Sequence, residues 1–146
     1  MREVRRLSAL GRERAAFELL RKAADGNPRN ARLLHDTAEL ARRLNEAELA
    51  VSYYRKASVA FANDGFSRHA VAPLRSAWLI TKGGLPGTAE SFAGIASELV
   101  RLQSALGFVA DAKMLLDMTE GAFEKAGLSR PFELSALRET PALAAG

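Results

Sequence analysis

His35 and His69 are the only imidazoles in the chain, and with no cysteine present they are the only side chains that ordinarily change charge near neutral pH. An imidazole works as a general base when a third group orients it within hydrogen-bond reach of the substrate. His35 stands beside Asp36, but adjacent residues of a helix point in different directions and make no oriented dyad. His69 follows 34 residues later, and neither histidine has a carboxylate pair at ligand spacing, so no zinc-type site is written here. Gly83-Gly84-Leu85-Pro86-Gly87 lacks the lysine and hydroxyl of a phosphate loop and follows no strand. The lack of cysteine also removes thiolate nucleophiles and disulfides. No catalytic residue, metal or cofactor is expected, and the chain reads as a non-enzyme.

Charge suggests binding chemistry instead. Residues 1–32 hold nine Lys/Arg against four Asp/Glu, whereas the remainder holds twelve against thirteen, so the net charge of +4 is an N-terminal property. Arg2, Arg5, Arg6, Arg12, Arg14, Arg21, Arg29 and Arg32 could attract an acidic protein, a phosphate backbone or an anionic membrane surface. The interleaved acids favour the plainer reading of a solvated helix face. Apart from Phe17 the region has no aromatic residue on which single-stranded bases would stack. The opening "MREVRRLSALGRERAAFELL" has no unbroken apolar core, and no apolar run of about 18 residues occurs anywhere, so a cytoplasmic protein without a membrane span is expected.

The elements that carry these residues are helical. Alanine and leucine dominate, β-branched residues are few, and apolar residues recur at helical spacing, as in Leu33, Leu34, Leu40, Ala41 and Leu44. Helices are expected over 2–9, 12–25, 30–43, 46–63, 66–81, 88–106 and 108–126. The short breaks between them contain Gly or Asn, which end helices in the left-handed conformation, and make neighbouring helices antiparallel. Thr88 is expected to cap the next helix, and the Gly-rich linker at 83–87 to divide two sub-modules. Pro73 implies a kink or a restarted helix. Trp78 and Tyr54 are assigned to the core, with Tyr53 left partly exposed. At 146 residues one domain is expected: a helical array over 1–127, then a short helix from Pro131 and a fraying, flexible tail within 128–146.

The chain repeats itself. A shift of 62 residues aligns Ala50, Ala60, Phe61, Gly65, Ser67 and Arg68 with Ala112, Ala122, Phe123, Gly127, Ser129 and Arg130, and Ala31, Leu33 and Leu44 with Ala93, Ile95 and Leu106. Both phenylalanines are expected to fill the space between helix layers.

Ala16, Leu20, Ala23 and Pro28 fit a small-large-small-proline signature whose first three terms recur as Ala50, Tyr54, Ala57 and as Ala70, Leu74, Ala77, and whose first two as Ala112, Leu116. Leu34, Thr37, Ala38 and Ala41 fit a looser companion signature. So do Tyr54, Ala57, Ser58 and Phe61, then Ala96, Leu99, Val100 and Gln103, and finally Leu116, Thr119, Glu120 and Phe123. With Gly11 and Asn45 one period of 34 apart, the chain resembles the tetratricopeptide repeat family, as a short, diverged bacterial array. Thr37, Gln103 and Glu120 depart from the pattern.

The resemblance implies an all-α fold of about seven helices, antiparallel helix-turn-helix repeats wound into a short right-handed solenoid. It also implies a non-enzymatic scaffold or adaptor that holds a peptide or helix of another protein in its concave groove and helps assemble a complex. Carried over by position, the groove would show Arg32, His35, Glu39, Arg42, Arg55 and Val59, then Ser97, Arg101 and Ser104. His35 and Glu39 replace the lysine and asparagine that clamp a C-terminal carboxylate, which disfavours chaperone-tail binding. A secretion-type chaperone and a nucleic-acid-associated regulator using the basic N-terminus are the alternatives. The incomplete first repeat and the stop at Pro131 leave the ends without polar caps, so a homo-oligomer or obligate complex is expected.

Overall fold

The computed structural model describes residues 2–9 and 11–144, and among these the regular structure is helical throughout, with no strand. The helices are α1 (Arg2–Ala9), α2 (Glu13–Gly26), α3 (Ala31–Arg43), α4 (Ala47–Asn63), α5 (Val71–Gly83), α6 (Ala89–Ala105), α7 (Val109–Lys125), α8 (Phe132–Leu137) and α9 (Pro141–Ala144). A 3-10 turn, Ser67–Ala70, leads into α5. Pro73 falls in the first turn of α5, where backbone N–H groups have no intrahelical acceptor, so the helix restarts there and is not kinked. Among the described residues no helix is long and apolar enough to cross a membrane.

The duplication is visible in the backbone. α4 and α7 are related residue for residue by the shift of 62, and both are 17 residues long. Each ends in the same closure: Phe66 N–H donates to the Phe61 carbonyl at 2.9 Å, and Leu128 N–H to the Phe123 carbonyl at 2.9 Å. Gly65 and Gly127 turn these corners at φ 84° and 73°, where a residue bearing a Cβ is strained. One corner earlier, Asn45 and Gly107 match in the same way at φ 60° and 86°.

The chain divides into two compact units, Met1–Pro73 and Leu74–Gly146. In the first, α1 packs on α2, α2 on α3, α3 on α4, and α4 on the 3-10 turn. Its core holds Ala16, Phe17, Leu20, Leu34, Ala38 and Tyr54. Tyr53 is buried too, against expectation: its ring is inside while its phenol reaches the rim and donates to the exposed Asp25 at 2.7 Å. Burial first, and then that bond, push the Tyr53 phenol above its usual pKa. Phe61 is only half-buried where a core ring was expected, because its neighbour is the exposed His69 of the 3-10 turn and not a second helix layer.

In the second unit α6 packs on α7 and α8, and α7 on α9. Trp78 and Phe92 lie 5.7 Å apart, and Phe92 and Phe123 5.6 Å, forming a chain of buried rings. Trp78 Nε1–H donates to Thr119 Oγ1 at 3.0 Å, and that hydroxyl donates onward to the Leu115 carbonyl at 2.7 Å. The tail does not fray by Ala144. It forms two short helices where one was expected, so that nine helices stand among the described residues against the about seven expected of the array, and it buries Leu134, Leu137 and Leu143.

An ion pair fastens this tail. Arg138 donates two hydrogen bonds to Glu120 Oε1, one of them from Nε at 2.8 Å, and also bonds Asp117, while Arg130 approaches Glu120 at 3.4 Å. Hydrogen bonding to Asp117 first, and then to Glu120, holds the Arg138 guanidinium above its usual pKa against the opposing effect of burial. Glu120, a departure from the repeat signature, is therefore a buried anchor.

The linker at 83–87 lies inside the second unit and does not divide the molecule. Thr88 does not cap α6 with its side chain. Its hydroxyl instead bonds back to the Thr81 carbonyl and pins the loop shut. A Cβ at Gly84 would meet Thr88 Cγ2 at 2.7 Å, so the closed loop requires glycine there.

Candidate functional site

α2, α3 and α4 each bury one face, and α3 turns its other face outward. Asn30 caps α3 by accepting from Leu33 N–H at 3.0 Å, which fixes where the outward row begins. Arg32, His35, Glu39 and Arg42 come next at spacings of three, four and three. Arg32 has 84% of its side chain exposed and lies 3.6 Å from Asp36. His35 Nε2 is 3.5 Å from Glu39 Oε1, and Glu39 accepts from the Tyr54 hydroxyl at 2.8 Å. The Tyr54 ring meets His35 edge-on at 5.9 Å, so the imidazole is held by a ring and a carboxylate. Asp36 stands 4.0 Å from His35 Nδ1, beyond hydrogen-bonding distance.

A depression of about 500 Å³ opens beside this row, lined by Arg32, His35 and Asp36 of α3, Phe61 of α4, Arg68 and His69 of the 3-10 turn, and the start of α5. The two histidines, unrelated in sequence, line one cavity. A second depression of about 750 Å³ shares Arg32 and Phe61 and adds Arg29, Asp64 and Phe66. Phe61 stacks on His69 at 5.9 Å with 30° between planes, and Phe66 meets His69 edge-on at 5.6 Å. Phe66 is 56% exposed. The surface is thus an aromatic cluster set among three arginines, two histidines and two aspartates.

This arrangement offers chemistry for recognition. An exposed aromatic cluster ringed by charge resembles the anchor-and-rim layout of binding hot spots. Among the described residues no three or more His, Asp or Glu side chains converge as a metal site would require.

The other expected groove residues differ in exposure. Arg42 is exposed and Arg55 half-buried, while Val59 is exposed. In the second unit Arg101 is exposed, but Ser97 is buried and its Oγ has no hydrogen-bond partner, so Ser97 displays nothing to a ligand. Ser104 is half-buried and donates back to the Val100 carbonyl at 2.8 Å. Helical spacing placed Ser97 with Arg101 but did not say how wide the buried face of α6 is: Ile95, Ala96, Ser97, Leu99 and Val100 are all inside.

The basic N-terminus is partly spoken for. Arg6 pairs with Glu3, whose carboxyl it holds below the usual range, Arg14 pairs with Glu46 at 2.7 Å, and Arg43 pairs with Glu13. Arg5, Arg12 and Arg29 are exposed, and the side chain of Arg2 lies outside the described residues. The residues that sequence reasoning missed are Phe61, Phe66, Arg68 and His69. The Gly65 corner marks the end of α4 in the sequence, but the 3-10 turn that follows it carries no such signal.

No protein-family model matches the chain. No curated protein is significantly similar to it in sequence.

Proposed function

We propose that this protein is a non-enzymatic interaction module, a short tetratricopeptide-like array that holds a segment of a partner protein along the outward row of α3 and helps assemble a complex. The observation that carries the reading is the cavity in which Arg32, His35 and His69 surround the half-exposed ring of Phe61. Aromatic and arginine side chains are the residue types that dominate protein interfaces, and here they share one depression. The repeat reading is supported by burial: of the signature positions, Ala50, Tyr54, Ala57, Leu34, Ala38, Ala41, Leu99, Ala112 and Leu116 are all inside. Ala23 and Phe61 are half-buried.

The test compares three proteins in pull-downs from host lysate: the parent, Arg32→Glu with Arg42→Glu, and Arg5→Glu with Arg6→Glu. All four residues are exposed, so thermal melts should agree, since such changes usually cost within about 0.5 kcal/mol. The α3 variant should lose partners that the N-terminal variant keeps. Retention of every partner by the α3 variant would overturn the assignment.

A further inference from the structure

On α7 the residues Asp111, Met114, Met118, Gly121 and Lys125 succeed one another at steps of three, four, three and four, the spacing of a helix-pairing seam. All five lie on the exposed side of the helix. Met114 is 61% and Met118 44% exposed, and Asp111, Gly121 and Lys125 are exposed as well. Gly121 sits inside a helix, where glycine costs about 1 kcal/mol relative to alanine. A Cβ there would meet nothing within 4 Å, so nothing within this chain requires glycine at that position.

We propose that two copies of this chain pair through α7, antiparallel, about a two-fold axis at Met118. The seam is self-complementary only in that orientation. Asp111 lies seven residues before Met118 and Lys125 seven after, so an antiparallel pair sets Asp111 of each copy against Lys125 of the other, twice. A parallel pair would set like charge against like. Met114, four residues before the axis, meets Gly121, three after it, in the second copy: a long, adaptable side chain over a missing one. Asp117 flanks the axis, where two carboxylates would approach each other, and Arg138 already neutralises it.

From Asp111 to Lys125 the seam runs roughly 21 Å at about 1.5 Å per residue. One helix pair of that length buries less than the roughly 1,200 Å² of a stable complex, so the dimer is weak and forms at micromolar concentrations or above. This inference does not rest on the proposed function.

The chain has no cysteine, so Met118→Cys introduces a single thiol on the axis. Mild oxidation should convert this variant to a covalent dimer much faster than Val59→Cys, a control at a comparably exposed site. Sedimentation from about 5 to about 500 μM, the range suited to so small an interface, should show the parent shifting from monomer to dimer. Asp111→Lys and Lys125→Asp should each weaken the dimer about tenfold or more, since each turns two attractions into repulsions. The two together should restore it. A parent that stays monomeric, a dimer indifferent to either single reversal, or equal oxidation of the two thiol variants would overturn the proposal. The charge reversals lie on exposed positions and remain informative even if Met118→Cys disturbs folding.

Discussion

Phe61 and Phe123 hold the same place in a duplicated phrase, four residues before a left-handed glycine, yet Phe123 is 2% exposed and Phe61 half-buried. The difference arises downstream. After Gly65 the chain enters the 3-10 turn and lays the exposed His69 on Phe61. After Gly127 it runs through Pro131 into α8 and α9, while Phe123 packs against Phe92 inside. The anchor for each continuation is also the same position: Ser58 donates to the Ala70 carbonyl at 2.9 Å, whereas its counterpart Glu120 grips Arg138. Helix ends and small residues set the backbone of a repeat, but the fate of its aromatic ring depends on the segment beyond the glycine corner.

The largest expected contrast is between the rings. Phe123→Ala should destabilise the second unit by about 3–5 kcal/mol, as for a fully buried phenylalanine, whereas Phe61→Ala should cost only about 1 kcal/mol. Trp78 is the only tryptophan and lies in the second unit, so urea titrations followed by its fluorescence and by circular dichroism will separate the two effects. Equal losses would break the comparison.

The anchors come next. Arg138→Met leaves the Glu120 carboxylate, which is 4% exposed, with the longer contact to Arg130, and should cost about 3 kcal/mol, at the low end for a broken buried pair because Arg130 remains and Arg138 itself is half exposed. Ser58→Ala removes one hydrogen bond and should cost about 1 kcal/mol. If Arg138→Met melts like the parent, the tail is not held by this pair.

Gly65→Val and Gly127→Val should behave alike, each losing about 1–2 kcal/mol through strain at positive φ, since neither site is crowded. Unequal losses would show that the backbone correspondence is incomplete.

The smallest contrast is Tyr53, whose counterpart is Leu115. Tyr53→Phe should cost about 1 kcal/mol at neutral pH. The folded-state pKa of Tyr53 is raised, so its contribution is fully present below the usual phenol value of about 10 and is lost as pH climbs through the folded value. Alkaline melts of the parent should therefore fall more steeply than those of Tyr53→Phe.

Most of the helix boundaries were legible because Gly and Asn corners are local signals, and the repeat shift located them twice. Burial was less legible. Tyr53 and Tyr54 are adjacent and both inside, which helical periodicity cannot suggest without knowing that Asp25 waits for the first hydroxyl. Glu120 read as a flaw in the signature because its partner, Arg138, lies beyond the repeat. The candidate site was half legible: α3 supplied Arg32 and His35, but no local pattern announces the 3-10 turn that brings Arg68 and His69 beside them.

The Glu120–Arg138 pair also works as a routing switch. The two copies leave the same kind of glycine corner, and one side chain in each selects what docks beside it. Serine at position 58 holds the carbonyl of the 3-10 turn, while glutamate at position 120 draws in the guanidinium at the end of α8. Splicing residues 66–83 after Gly127, together with Glu120→Ser, would give the second copy the continuation of the first. The route taken after a repeat is then set by a two-residue lock, with the duplicated helices themselves left unchanged.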